Sequence, residues 1–248
     1  TVVLRPEDSM RVQQELGADV AMAFEELVGL PAERSVVRAA MERTLRWTER
    51  AIAVHERDDQ ALFGIVQGGV DPELRVESAR RTAALDLPGF GIGGLSVGEP
   101  ADERNAALDA CIPELPGQKV RYVMGLGDTE GVLDAIERGA DLFDCVWPTR
   151  LARHGKILSP AGDYNLRTLE HAEAAGPLVD DCTCHTCSRY SRSYLRHLLR
   201  TGELTAHRLL SLHNLHYTFG IVRGAREAIA GDRFASYRAA LASAREGA

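Results

Sequence analysis

The chain has 248 residues, 45% of them hydrophobic and 26% charged, which is the composition of one sizeable globular domain or of a domain with a small appendage. No apolar run approaches the roughly 20 residues of a membrane helix, and the N-terminus lacks the pattern of a signal peptide. We therefore expect a cytoplasmic protein that makes no membrane contact. The formal charge of -7 excludes nucleic-acid binding through a uniformly basic surface.

Helices and short apolar runs alternate through the first two-thirds of the chain, at a spacing typical of β-α units. The first helix is predicted from Pro6 to about Gly17, and a later one begins after Asp71-Pro72, a cap followed by proline at the first helical position. Residues 128–139 carry start and stop signals of their own. The helix between the first two strands is indicated by an apolar stripe formed by Val37, Met41, Leu45 and Ile52.

Five strands are predicted, at residues 20–24, 62–66, 90–95, 121–124 and 142–146. Strands that are apolar on both faces and joined by helices form a parallel sheet with the helices outside it. The leading closed form is a (β/α)8 TIM barrel, which needs eight strands, so its N-terminal strands would lie outside this chain. The alternative is an open, doubly wound sheet, whose unpaired edges would need covering.

The pattern changes after Gly155. A short apolar segment leads to a turn at residues 160–163, then to three close cysteines, and then to helical sequence from Ser191 to Ala248 with breaks near Gly202 and Gly231. We predict two domains: an incomplete (β/α) barrel at residues 1–154, and a zinc-binding subdomain with C-terminal helices at residues 155–248.

Three cysteines within six residues indicate a metal site, because a disulfide framework is a poor interpretation in a chain without export signals. Thiolates in a tight loop suit a tetrahedral Zn²⁺, and a fourth protein ligand would leave no position for water, as in structural sites. The cysteines are Cys182, Cys184 and Cys187. The candidates for the fourth ligand are His213, on a strongly helical run, and His185, His207 and His216.

Polar residues or glycines follow all five predicted strands, at the edge where parallel-sheet enzymes place their sites. A single residue of this kind usually forms part of a turn or a helix cap. Together, an amide and a backbone N–H can serve a guanine carbonyl, while a carboxylate accepts from its ring N–H and amino group. Asp144 stands among apolar neighbours, which is typical of a carboxylate nucleophile. The strand-end residues are Glu25, Glu26, Gln67, Gly68, Gly69, Gly93, Gly94, Gly125, Gly127 and Asp144.

These residues carry a resemblance to the bacterial tRNA-guanine transglycosylases, and the similarity covers essentially all 248 residues in order. The similar blocks are residues 22–26, 41–47, 63–69, 93–99, 122–125 and 143–150, with the three cysteines and His213. The resemblance implies the barrel fold, His213 as the fourth ligand of one structural Zn²⁺ per chain, and a homodimer. It also implies a pentosyltransferase that exchanges wobble-position guanine in tRNA for 7-aminomethyl-7-deazaguanine, in queuosine biosynthesis.

Residue by residue, the resemblance makes Asp144 the nucleophile that attacks C1′ of the guanosine and holds the tRNA covalently. It places Glu25, Gln67 and the backbone at Gly94 and Leu95 around the base. Tyr122 and Met124 would stack against the base, and Val97 matches the bacterial form of the pocket. A local basic patch would hold the anticodon-loop backbone through Arg150 and Arg153. Other basic side chains nearby are Lys156, Arg189, Arg192, Arg196 and Arg200.

Three departures from the family pattern favour functions other than catalytic base exchange in tRNA. Glu25 stands where the family usually has Asp, a short Cys- and Pro-containing loop is missing between Glu26 and Pro31, and the family's acid/base Asp falls upstream of Thr1. A carboxylate displaced by about 1 Å can cost about 10²-fold in rate. One alternative is a non-catalytic tRNA-binding partner subunit, or a truncated paralogue, that keeps the zinc module. Another is a paralogue that inserts a deazaguanine into DNA.

Overall fold

A computed structural model describes residues 3–246, so the end of the predicted C-terminal helical sequence, Gly247 and Ala248, lies outside the described residues. The fold divides into two compact units. The first unit runs to Leu126 and includes Asp134–Asp144. The second includes Gly127–Leu133 and continues from Cys145.

The first unit is built on a parallel sheet in which each strand pairs with the next strand of the chain. Within residues 3–246 the sheet has five strands, which lie side by side in their order along the chain, and that order never reverses. A doubly wound sheet reverses its order at a switch point, whereas a barrel wall does not. The α/β barrel prediction is therefore confirmed, and the doubly wound alternative is wrong. The strands are β1 Val20–Met22, β2 Ala61–Val66, β3 Gly89–Ile92, β4 Val120–Val123 and β5 Leu142–Phe143.

Four strands end earlier than the sequence predicts: β1 at Met22, β3 at Ile92 and β5 at Phe143 by two or three residues, and β4 at Val123 by one. The backbone leaves the extended conformation after β3 because Gly94 has a left-handed φ of 70°. After β5 the chain turns into a helix that begins at Trp147 with proline in its first turn. The residues that follow the strands are thus free to form a site at the carboxyl edge of the sheet.

Helices connect the strands, as the sequence predicts. The first ends at Gly17 in a left-handed conformation, and the third is capped by Asp71, whose carboxylate accepts from the N–H groups of Glu73 and Leu74 at 3.0 Å. Ile52 does not share the buried stripe of the second helix, because it is the last helical residue and is 38% exposed. The helices of this part of the chain are α1 Pro6–Leu16, α2 Arg34–Ile52, α3 Pro72–Ala83, α4 Ala101–Cys111 and α5 Thr129–Glu137.

The second unit contains a small antiparallel hairpin and a set of helices. Gly202, with a left-handed φ of 79°, ends one helix, and Gly231 ends the next, so both predicted breaks are confirmed. Cys184 and Cys187 are buried in the same apolar cluster as Leu195 and Leu210. No helix within residues 3–246 is long and apolar enough to cross a membrane. The elements are α6 Trp147–Arg153, β6 Lys156–Ile157, β7 Tyr164–Asn165, α7 Arg192–Thr201, α8 Leu204–Ala230 and α9 Phe234–Glu246.

Candidate active site and metal centre

Glu25 follows β1 in a segment that is anchored to helix α2. Phe24 stacks on Trp47 with the ring centroids 5.1 Å apart, and the N–H of Glu26 donates to the Thr44 hydroxyl at 3.0 Å. Arg43 forms an ion pair with the carboxylate of Glu26. The backbone on both sides of Glu25 is thereby fixed, and its half-buried side chain is directed to the end of the next strand.

Gln67 follows β2 and is 4% exposed. Its N–H donates to the Ser78 hydroxyl at 3.0 Å, and its side-chain amide donates to the Glu25 carboxylate. Burial raises the pKa of Glu25, while the bond from Gln67 and the positive charge of Arg75 oppose that rise. A hydrogen-bond donor and an acceptor thus stand side by side, which is the arrangement that a carbonyl next to an N–H can bind.

Strand β3 and the two residues that follow it contribute glycines that lie close to these side chains. A Cβ on Gly91 would lie 2.8 Å from Met22 and 3.2 Å from the sulfur of Met124. A Cβ on Gly93 would clash with the Glu25 carboxylate, and one on Gly94 would clash with the side-chain oxygen Oε1 of Gln67. Glycine at these positions leaves room for the side chains of Met22, Glu25 and Gln67 from the neighbouring strands.

Asp144 follows β5 and has one carboxylate oxygen held by two donors. The Tyr122 hydroxyl donates to Oδ1 at 2.6 Å, and the N–H of Gly125 donates to the same atom at 2.8 Å. Burial raises the pKa of Tyr122, and the negative charges of Asp144 and Glu25 raise it further, so the phenol stays protonated and donates. Asp144, Tyr122 and Glu25 are thus grouped at one edge of the sheet.

The residues beside Asp144 in the sequence are apolar, but they do not enclose its side chain, which is exposed. Adjacent residues of an extended segment point to opposite faces, so the side chain of Phe143 is not directed where that of Asp144 is. Leu95 is 4% exposed, and Val97 is half-buried with its N–H donating to Glu99 at 2.9 Å. Met124 lies against Gly91, as described above.

The metal cluster brings together Cys182, Cys184, Cys187 and His213, whose ligand atoms all lie within 4.8 Å of one another. His213 Nδ1 lies 3.6, 3.6 and 3.3 Å from the three sulfur atoms. A tetrahedral Zn²⁺ with Zn–S of about 2.3 Å and Zn–N of about 2.0 Å would place nitrogen and sulfur about 3.6 Å apart. The donor set therefore fits zinc, and the cluster can hold a metal ion.

The surroundings of His213 suit metal binding. Its second ring nitrogen, Nε2, lies 3.0 Å from the carbonyl oxygen of Leu158, and a proton on Nε2 leaves Nδ1 free to bind a cation. Burial lowers the pKa of His213, which favours the neutral imidazole. Burial also raises the pKa of Cys187 to about 12 and that of Cys182 above its ordinary value, so a cation is needed to hold these groups as thiolates.

Six of the seven predicted basic residues divide into two groups, and the seventh, Lys156, is half-buried in β6. Arg192 donates to the backbone oxygens of Pro177 and Leu178, and Arg196 donates to that of Thr168, so these two side chains hold loops of the second unit. The exposed arginines are the candidates for phosphate contact. They are Arg150, Arg153, Arg189 and Arg200.

Two residues that support the site are absent from the sequence prediction. Arg75 and Ser78 lie on α3 and bond to the segment that carries Gln67. Their signal in the sequence is weak: Arg75, Ser78 and Thr82 recur at helical spacing, and only the structure shows that all three are buried.

Comparisons with known proteins agree on one family. A family model described as queuine tRNA-ribosyltransferase matches residues 1–247. Proteins named queuine tRNA-ribosyltransferase are similar in sequence: the one from Desulforamulus reducens is 47% identical over 94% of this chain and 63% of its own length. Those from Herpetosiphon aurantiacus and Synechococcus elongatus are 49% and 51% identical, over 94% and 92% of this chain and 59% and 60% of their own lengths. The chain thus spans about 60% of the length of these relatives.

Proposed function

Because the chain belongs to the queuine tRNA-ribosyltransferase family, we propose that it is a tRNA-guanine transglycosylase, which exchanges wobble-position guanine in tRNA for 7-aminomethyl-7-deazaguanine. The observation that carries the proposal is the exposed carboxylate of Asp144, held by Tyr122 and Gly125 at the sheet edge that also bears the Glu25–Gln67 pair. A nucleophile and a base-recognition pair at one edge are what base exchange requires.

The exchange takes two displacements at C1′ of the ribose. Asp144 attacks C1′, the bond from C1′ to N9 of guanine breaks with its electron pair going to the base, and the leaving guanine takes up a proton. The incoming base then gives up its N9 proton and attacks C1′, and the bond to Asp144 breaks, which restores the carboxylate. Protons and charge balance over the cycle.

Base recognition uses the Glu25–Gln67 pair. A guanine entering between them would accept from the amide of Gln67 through its 6-carbonyl and donate to Glu25 through its ring N–H and amino group, replacing the existing bond between the two side chains. The backbone N–H groups at Gly94 and Leu95 add further contacts. Tyr122 and Met124 flank the ring, and Val97 lines the space for the substituent on C7.

The partners are tRNA and one metal ion. Exposed Arg150 and Arg153 would contact the anticodon-loop phosphates, in line with the position-fixing role of such contacts. Cys182, Cys184, Cys187 and His213 would hold one Zn²⁺, which when bound supplies folding free energy rather than chemistry, because all four positions are filled by protein. A homodimer stays a prediction, and light scattering of the purified protein measures it.

One competing function has an observation in its favour. Glu25 carries one methylene more than the Asp expected from the resemblance, and its carboxylate is already engaged by Gln67. A subunit that binds tRNA without exchanging its base would tolerate that change. Insertion of a deazaguanine into DNA uses the same chemistry on another substrate.

A single assay separates these functions. The protein at its natural length is incubated with radiolabelled guanine and either a tRNA with guanine at the wobble position, the same tRNA with adenine there, or duplex DNA. We expect label only in the first tRNA. Label in DNA alone would favour the DNA paralogue. Binding of the first tRNA without any label would favour the non-catalytic subunit and refute the transglycosylase.

A further inference from the structure

Arg75 is the bulkiest of the fully buried side chains in the described part of the chain and is 0% exposed. It lies in the first turn of α3, directly after the segment that joins β2 to that helix. A buried cation is costly unless hydrogen bonds compensate for the lost water. The groups that it contacts therefore indicate what it does.

Two nitrogens of Arg75 donate hydrogen bonds to the segment that contains Gln67. Nε donates to the carbonyl oxygen of Gly69 at 2.6 Å, and Nη1 donates to that of Val66 at 3.2 Å. These carbonyls lie on either side of Gln67 and Gly68, so the planar guanidinium joins the two ends of the segment. Lysine, a point donor, cannot do so.

The backbone of this segment needs such support. Gly68 and Gly69 have φ values of 134° and 55°, and a Cβ on Gly68 would lie 2.9 Å from the backbone nitrogen of Arg75. Glycines lose more conformational freedom on ordering than other residues. Without the two hydrogen bonds from Arg75, this glycine pair would adopt other backbone conformations as well.

The third nitrogen, Nη2, has no hydrogen-bond partner among the described residues. It lies 3.5 Å from the position that a Cβ on Gly94 would occupy, beside the Gln67 side chain. The charged and titratable groups that face the guanidinium are Glu25, Glu99 and Cys111. Arg75 thus contacts the segment of Gln67 and lies close to Gly94, and both segments carry proposed recognition groups.

We propose that Arg75 is a positioning residue that holds segment 66–69 so that the Gln67 amide meets the 6-carbonyl of a bound guanine, and that it thereby sets the preference for purines with that carbonyl. The inference rests on the proposed function only in taking guanine as the ligand. The role of Arg75 in fixing segment 66–69 does not depend on a ligand and can be tested in the free protein.

The test compares Arg75→Lys with Arg104→Lys, a matched control. Arg104 is also a buried arginine of the first unit, 9% exposed, and it lies on α4 beside Asp134. Amide hydrogen exchange of peptides covering residues 66–70 is measured in the free proteins. We also measure dissociation constants for guanine and for 2-aminopurine, which lacks both the 6-carbonyl and the N1–H of guanine, in the wild-type and Gln67→Ala backgrounds.

Arg75→Lys should speed exchange in segment 66–70 about tenfold, and Arg104→Lys should not. It should weaken guanine binding about tenfold but 2-aminopurine binding less than about twofold, and its effect on guanine should vanish in Gln67→Ala because the two residues act together. Equal weakening of both bases, or an additive effect with Gln67→Ala, would overturn the proposal.

If the wild-type protein binds neither base, the proposed function fails, while hydrogen exchange still decides the role of Arg75: unchanged exchange in segment 66–70 overturns it. If Arg75→Lys does not fold, Arg75→Met replaces the buried charge with an apolar chain of similar length and is measured in the same way.

Discussion

The phenol of Tyr122 donates to Oδ1 of Asp144 at 2.6 Å, and the N–H of Gly125 donates to the same oxygen at 2.8 Å. Two donors on one oxygen orient the carboxylate, so we expect its other oxygen, Oδ2, to attack the ribose. The two bonds join the ends of β4 and β5 and fix the carboxylate at the edge of the sheet.

Tyr122→Phe removes the phenol donor but keeps the ring. A hydrogen bond to a charged group contributes about 1.5–3 kcal/mol, so we expect kcat for guanine exchange to fall by about tenfold or more while the thermal midpoint changes little. Steady-state kinetics with labelled guanine measure the effect. An unchanged kcat would mean that Gly125 alone orients the carboxylate.

Gly94→Ala should weaken guanine binding by at least about tenfold. The new Cβ would clash with the side-chain oxygen Oε1 of Gln67, and a φ of 70° costs a non-glycine residue about 1–2 kcal/mol. Gly17→Ala is the matched control, because Gly17 has a φ of 69° and its Cβ would meet only Arg57 at 3.6 Å. Equal affinities in both variants would show that Gly94 does not contact the base.

Guanine affinity should depend on pH through Glu25. Burial raises the pKa of this carboxyl above its ordinary 4.5, so the folded protein retains the proton at pH values where an exposed glutamate has lost it. Only the carboxylate accepts from both guanine donors, so affinity should fall as the pH drops through a midpoint above 4.5. Glu25→Gln should abolish that dependence, and an acid limb that persists in this variant would assign it to another group.

The metal prediction is tested by His213→Ala against His207→Ala, since His207 is a half-buried histidine on the same helix and outside the cluster. Protein prepared without chelator should contain one zinc per chain in the wild type and in His207→Ala, and little in His213→Ala. Loss of a structural metal should lower the thermal midpoint by on the order of 10 °C. Full zinc content in His213→Ala would show that the ligands are wrong.

The β-α alternation could be predicted from the sequence because buried parallel strands need nearly continuous apolar residues, and the helix caps at Asp71 and Gly17 are local signals. The strand ends could not, because they depend on the left-handed turn at Gly94 and on where Asp144 finds its donors. Residue spacing alone left four histidines as candidates for the metal, and the family resemblance implied His213. The distances in the fold place His213 with the three sulfur atoms.

The burial of Arg75 is the feature least accessible to sequence reasoning. Arginine is almost never fully buried, and the carbonyls that hold it belong to a loop whose path is not fixed by local preference. Asp144 lies between apolar residues in the sequence, yet its side chain is exposed, because burial depends on tertiary packing rather than on sequence neighbours.

Trapping of the protein–tRNA adduct tests Asp144 as the nucleophile most directly. The protein at its natural length and its Asp144→Asn variant are incubated with tRNA bearing a wobble guanine, separated by denaturing electrophoresis and analysed by mass. The wild type should yield a tRNA adduct that maps to Asp144. Asp144→Asn should yield none and lose about 10³-fold or more of the exchange rate, with its zinc content and thermal midpoint retained. An adduct that persists in Asp144→Asn, or that maps to Glu25 or Glu26, would contradict the assignment.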